Sequence, residues 1–428
     1  MRILVIGNGG REHAIAWYLT KSAEPVEIFV APGNAGTAEL GVNVDIDSAD
    51  VDALLNFAER TEIDLTIVGP EKPLVKGIVD RFEKHGFAIV GPTAAAARLE
   101  GSKAFSKTFM TRHGIPTADH RTFEASELSE AIAFVEKSGA PIVVKASGLA
   151  AGKGAIVCET VEEARGAIER VLRDREFGAA GDVAVVESFM EGEEVSVFAL
   201  TDGRNYVLLP PIQDHKQVGE GDTGPNTGGM GAYGPAPVMT SALLDRVRAE
   251  IIEPTIRGME KEGHPYRGVL YCGLMITSEG PMVVEYNCRL GDPEAQVLLP
   301  MLENDPVELF DAVGRRRLGS TLLTYRPGAA ACVVLASGGY PGPYRKGMRI
   351  DGLDEASASD DVLIFHAGTA LDGEGHLVTS GGRVLGVTAI GSTLSGALDS
   401  AYSAADRIHF DGIQFRRDIG RKGLARSS

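Results

Sequence analysis

Apolar runs of strand length alternate with helical patterns through roughly the first hundred residues, and that order leaves few folds open. "RILVIG" reads as a buried strand, "REHAIAWYLTKS" as a helix, "VEIFVA" as a strand and "DVDALLNFAERT" as a helix. "IDLTIVG", "GIVDRFEKHG" and "FAIVG" continue as strand, helix and strand. Strands joined through helices run parallel, so the fold class is α/β, opening with a doubly wound parallel sheet covered on both faces. The loops "GNGGRE", "APGNAG" and "GPEKPL" fall at strand C-termini, where open α/β sheets bind ligands.

The first of these loops follows a strand and opens a helix, so its backbone N–H groups are placed to receive an anion. It is not a dinucleotide fingerprint: the third glycine of GxGxxG is Glu12, and the second strand ends in "FVAPGN" with no acid for an adenosine ribose. A phosphate-bearing substrate is the expectation for Gly9, Gly10, Arg11 and Glu12. A second glycine-rich loop lies in "VVKASGLAAGKGAIVCE". A Walker A loop would need glycine where Ser147 stands, Ser or Thr where Gly154 stands, and a helix afterwards. "AIVCE" is instead apolar and β-branched, a strand. A glycine loop between two strands can fold over a triphosphate as a flap and offer it backbone donors. Gly148, Gly152 and Gly154 are expected to supply positive φ and close approach, and Lys145 to reach phosphate from the preceding strand.

Beyond the first sheet the character changes. Two helical patterns end at Gly114 and Pro116, and a strand-rich region follows, with "PIVVKA", "GAIVCE", "VAVVESFM", "EVSVFALTD" and "NYVLLPPI". A glycine-rich stretch, a long amphipathic helix over "ALLDRVRAEIIEPTIRGMEKEG" and two strands come next, then a small β-rich region from about Pro327. The expected division is 1–102 for the N-terminal α/β domain, 103–326 for a central domain with a flap at about 121–190, and 327–428 for the C-terminal β-rich domain. The net charge of −17 disfavours nucleic acid and anionic membrane as partners. No apolar run reaches membrane-spanning length, and the N-terminal run is too short for a signal peptide. Four scattered cysteines without CxxC spacing suit reduced thiols in a cytoplasmic protein.

In "VVESFMEGEE", Glu187 ends a strand and Glu194 follows seven residues on, a pairing that suits an adenine edge and ribose hydroxyls. In "VVEYNCR", Glu285, Asn287 and Arg289 alternate along one strand and so share a face. The carboxylate and the amide oxygen are hard ligands that suit Mg²⁺, and the guanidinium can take an anionic oxygen.

In order along the chain, "GNGGREHA", "VAPGNAGT", "TIVGPEKPLVKGIVD", "GPTAAAARLEGSKAFSK", "GLAAGKG", "QDHKQVGEGDTGPNTGGMGAY" and "EYNCRLGDPE" resemble the ATP-grasp fold and, within it, the phosphoribosylamine–glycine ligase family. "FHAGT" and "GGRVLGVTA" extend the likeness to the C-terminal region. One departure is Ser147, where the family usually has Asp. The resemblance implies ATP-dependent joining of glycine to 5-phosphoribosylamine through glycyl phosphate, with Mg²⁺ or Mn²⁺, by a cytoplasmic monomer. It assigns the ATP phosphates to Lys103, Lys107, Lys145 and the 148–154 loop, which includes Lys153. It assigns adenine and ribose to Glu187, Phe189 and Glu194, and the metal to Glu285 and Asn287. Lys216 and Arg289 would stabilise the acyl phosphate, Asp214 the glycine ammonium, and the 9–12 turn the ribose phosphate. The nearest alternative is another ATP-grasp carboxylate–amine ligase or carboxylase of purine synthesis.

Overall fold

A computed structural model describes residues 1–150, 154–319 and 321–427. The N-terminal strands form a five-stranded, all-parallel sheet in the order Val42–Asn43, Glu27–Pro32, Arg2–Gly7, Leu65–Val68, Ala88–Val90. Helices cover both faces, which is why Ile3, Leu4, Val5 and Ile6 are all fully buried and the strand shows no polar alternation. The chain reverses direction across the sheet between the strands ending at Gly7 and Val68, the point where such sheets form a crevice. Here that crevice is filled from within: a Cβ at Gly7 or at Gly69 would strike the Glu12 side chain.

Two antiparallel sheets make up most of the centre. The flap sheet runs His120–Glu124, Val183–Ser188, Ile142–Ala146, Ala155–Cys158. It has a core of its own around Phe123, Val135, Val144, Ile168 and Val186. Helices Leu128–Ser138 and Val161–Ile168, the second continued by a π-turn over Glu169–Arg173, supply half of that core, although the sequence pattern of this region reads as strand-rich. The base sheet runs Tyr206–Leu208, Glu193–Thr201, Gly268–Thr277, Gly280–Asn287. The long amphipathic helix behind it is continuous from Ser241 to Lys261, but widens to a π-turn over Arg248–Ile252 just before Pro254, whose nitrogen cannot donate.

The C-terminal sheet is built on Ala329–Ser337, which pairs with Arg383–Gly391 on one side and Gly231–Gly234 on the other. The central strands Gln213–Asp214 and Gly231–Gly234 thus belong to the sheet of the last hundred residues, across the division expected at 327. Gly231 permits this approach, since a Cβ there would stand 2.7 Å from the Cys332 carbonyl oxygen. All four cysteines are free and buried, and no helix among the described residues is long and apolar enough to cross a membrane.

Candidate active site

Flap and base sheets face each other across a cavity of about 630 Å³ that the N-terminal and C-terminal regions close at the sides. Its lining includes Lys103 and Lys107 at the start of the helix Lys103–His113, Lys145 and Glu187 from the flap sheet, and Phe189 just beyond it. Glu194, Glu285, Asn287 and Arg289 line it from the base sheet and its continuation, Asp214 and Lys216 from the glycine-rich stretch, and Arg11 from the first loop.

At the flap end, one carboxylate holds two ammonium groups. Glu187 Oε2 lies 2.9 Å from both Lys107 Nζ and Lys145 Nζ, and all three side chains are buried. Lys107 also donates to Thr117 Oγ1 at 2.7 Å, and Lys145 to the Val284 carbonyl at 3.2 Å. Burial brings Lys107 down to about 8, with Glu187 opposing it. Burial would raise the Glu187 carboxyl, but the charges of Lys145 and Lys107 hold it below its ordinary value. The other oxygen, Glu187 Oε1, is buried with no hydrogen-bond partner. Lys107 and Lys145 thus share one carboxylate oxygen, while Lys103 Nζ donates to the Gly148 carbonyl at 3.4 Å.

Ser147 secures the flap strand to that helix. Its carbonyl accepts from Lys103 N at 2.7 Å and its Oγ accepts from Ala104 N at 3.1 Å, so the hydroxyl satisfies a free helix N-terminal donor. Gly148 does not have positive φ and does not line the cavity. A Cβ there would sit 2.7 Å from Ala180 Cα, and its N–H donates to the Ala180 carbonyl, so close backbone packing explains this glycine. Gly154 lines the cavity, also without positive φ. Gly152 and Lys153 lie outside the described residues.

On the base sheet, Glu285 and Asn287 share a face, line the cavity, and make no side-chain hydrogen bond among the described residues. Burial would raise Glu285, but Lys216, Lys103, Lys145 and Arg289 outweigh it and keep the carboxylate ionised. No group of three His, Cys, Asp or Glu suited to a metal occurs among the described residues. Two uncommitted hard oxygens fit a divalent ion that takes its remaining ligands from phosphate and water. Arg289 Nη2 lies 3.0 Å from Glu100 Oε1 and its Nε 3.6 Å from Glu71 Oε2, and that Nε has no hydrogen-bond partner.

Lys216 Nζ is 2.9 Å from Glu194 Oε2, so the carboxylate expected to meet ribose is paired with the lysine in this structure. Burial would lower Lys216, but Glu194 and Asp214 hold it well above its ordinary value. Asp214 is pushed up to about 7 by burial, with Lys216 opposing and Glu294 adding to the rise.

In the 9–12 turn the start of the helix is satisfied by the chain's own side chains. Glu12 closes the helix start as a capping residue: its Oε2 accepts from Gly9 N at 2.6 Å and its Oε1 from Arg11 Nε at 2.6 Å. Arg11 N points to Asp292 Oδ2 at 3.3 Å, and Gly9 and Gly10 pack against Asp292 and Gln296. The chain's own carboxylates thus occupy the positive end of the helix, Glu12 is 2% exposed, and of the four residues only Arg11 lines the cavity. A Glu at the third helical position was a legible capping signal.

Several lining residues carry no sequence signal that singles them out. Glu294 Oε1 accepts from Tyr271 OH at 2.9 Å and Ser196 Oγ at 3.3 Å. Tyr340, Tyr344 and Arg383 reach the same cavity from the C-terminal region, and Arg383 sits 3.4 Å from Asp292 Oδ1. Their proximity depends on tertiary folding alone.

Family comparison matches this geometry over nearly the whole chain: the phosphoribosylglycinamide synthetase N domain over residues 1–100, its ATP-grasp (A) domain over 101–295 and its C domain over 330–422. The chain belongs to the phosphoribosylamine–glycine ligase family. A phosphoribosylamine–glycine ligase of Vibrio cholerae is 52% identical over 429 residues, covering 100% of this chain and 99% of the relative. That of Pseudomonas aeruginosa is 51% identical over the same coverage. The crystal structure of phosphoribosylamine–glycine ligase from Thermotoga maritima superposes with a TM-score of 0.84 at 36% identity, covering 98% of this chain and 100% of that one. The cavity is lined mainly from the part of the chain matched over 101–295, with side walls from the flanking matches.

Proposed function

We propose that the protein joins glycine to 5-phosphoribosylamine at the expense of ATP, giving glycinamide ribonucleotide, ADP and phosphate. The observation that carries this is the convergence of Asp214 and Lys216 with Glu285, Asn287 and Arg289 on one cavity, in a chain half identical over its full length to proteins named for that reaction.

A carboxylate is a poor acyl donor, so a glycine oxygen first attacks the γ-phosphorus and ADP leaves. The amine nitrogen of phosphoribosylamine then attacks the carbonyl carbon of glycyl phosphate, loses a proton, and phosphate departs. Neither step needs a protein nucleophile, so catalysis rests on positioning and charge neutralisation. Lys103 and Lys145 hold the ATP phosphates, and Glu187 Oε1 is the acceptor left for the adenine amino group. Glu285 and Asn287 would hold Mg²⁺ or Mn²⁺, which supplies neutralisation of phosphate charge. Lys216, kept charged by Glu194 and Asp214, and Arg289 face the acyl phosphate, and Asp214 takes the glycine ammonium. Four buried free thiols suit a cytoplasmic protein.

A coupled assay of ADP release tests this. Release that requires glycine and phosphoribosylamine together supports the reaction, whereas release with bicarbonate or with either substrate alone refutes it.

A further inference from the structure

The hairpin that follows Lys216 pairs only with itself, strand Gln217–Gly219 against Thr223–Asn226, and its tip is largely exposed. It is anchored by residues from the far end of the chain. Arg416 Nη1 donates to the Gln217 carbonyl at 3.1 Å and to Asp222 Oδ1 at 2.9 Å, while its Nε and Nη2 fork onto Asp418 at 2.8 and 2.7 Å. Asp418 Oδ2 accepts from Gly221 N at 2.8 Å, and Lys422 Nζ lies 2.6 Å from Asp222 Oδ2. At the other end of the segment, Tyr340 OH accepts from Gly228 N at 3.0 Å and Arg383 Nη1 donates to the Gly228 carbonyl at 2.7 Å.

The hairpin in turn fixes the backbone of Lys216. The Lys216 carbonyl accepts from both Thr227 N and Thr227 Oγ1, each at 2.7 Å, and Gln217, held by Arg416, is the next residue. Asn226, Thr227 and Gly228 also line the cavity. Arg416 is 2% exposed, and a guanidinium buried with two carboxylates is a poor source of net stability but a good source of fixed geometry.

We infer that Arg416 is a positioning residue: by gripping Gln217 and Asp222 it holds the hairpin closed and sets Lys216 at the cavity, so that the C-terminal region governs the acyl-phosphate step. This rests on the role given to Lys216 above, and two independent readouts keep the two ideas separable. Arg416→Met removes the charge and the fork at similar length; Arg416→Lys keeps the charge; Asp222→Asn removes the hairpin carboxylate that Arg416 and Lys422 share and leaves the Gln217 contact in place. Steady-state kinetics with each substrate varied should show kcat lowered at least about tenfold in Arg416→Met, with the ATP KM changed less than about twofold and partial recovery in Arg416→Lys. Hydrogen exchange of the full chain without substrates should show the Gly221 and Thr227 amides exchanging at least about tenfold faster, with protection elsewhere unchanged. Should Arg416→Met fail to fold, Asp222→Asn is expected to show the same local acceleration and lower kcat. Normal exchange and normal kcat in Asp222→Asn, or a uniform loss of protection in Arg416→Met, overturns the inference. Accelerated hairpin exchange in a protein whose wild type releases no ADP would sustain the clamp and refute the ligase reading.

Discussion

Replacing Glu187 with Gln removes the one negative charge between Lys107 and Lys145 and leaves two ammonium groups buried side by side. Each contact is 2.9 Å long, which at an effective dielectric near 20 corresponds to about 6 kcal/mol of gross attraction. Desolvation of all three groups offsets most of that, and removing one partner of a buried pair costs about 3–5 kcal/mol. The loss should be relieved by alkali. Lys107 titrates at about 8 with Glu187 beside it, below its ordinary 10.5, and would fall further without that carboxylate. A lysine whose folded pKa is depressed binds fewer protons folded than unfolded between the two values, so stability rises with pH in that window. In Glu187→Gln the window opens at lower pH, and the deficit relative to wild type should be smaller at pH 9 than at pH 7. Urea titrations of both proteins at the two pH values measure it, with ATP KM read alongside and expected to rise. A variant within about 1 kcal/mol of wild type at pH 7, or one whose deficit grows at pH 9, would refute the reasoning.

Glu285→Gln should lower turnover on the order of 100-fold and raise the Mg²⁺ concentration needed, with the melting temperature little changed; near-normal turnover at limiting Mg²⁺ would remove Glu285 from the metal site. Asp214, at about 7 in the free site, must be ionised to hold an ammonium, so the glycine KM should climb as pH falls below about 7, and Asp214→Asn should flatten that profile. Glu12→Ala should cost about 3–5 kcal/mol of stability, since it removes the cap and leaves the buried Arg11 guanidinium without its carboxylate, with a smaller change in phosphoribosylamine KM than Arg11→Ala; the reverse order in KM would assign Glu12 to the substrate.

Strands were legible wherever β-branched runs were bounded by Gly or Pro, and period two placed Glu285 and Asn287 on a common face; the strand ends at Asn287, and Arg289, two residues beyond it, lines the same cavity. The glycine loop between strands was enough to reject a P-loop, since Ala155–Cys158 is indeed a strand. Helices that bury small residues were harder. Val161–Ile168 has only a short stripe of Ala164, Ala167 and Ile168, and Glu294–Met301 is buried on every side and carries Pro300, so it shows no stripe at all. At the site, residue type pointed to charge but not to partner: only the fold shows that Lys107 and Lys145 meet on the same Glu187 oxygen. Tyr340 and Arg383 stand more than a hundred residues from the hairpin they touch, beyond the reach of any local pattern.

The strand pairing of Gly231–Gly234 with Ala329–Ser337 has a consequence for biosynthesis. Gly231 meets Val333, roughly a hundred residues later, and at about 5–20 residues per second a ribosome needs about 5–20 s to deliver that partner. Until then Gly231–Gly234, which pairs on its other side with the strand of Asp214, keeps one edge open, while the parallel N-terminal sheet can already close. The nascent chain therefore completes its nucleotide-facing half early and its acyl-transfer half last, and a truncated product released before residue 329 carries an open, aggregation-prone edge in place of a finished site.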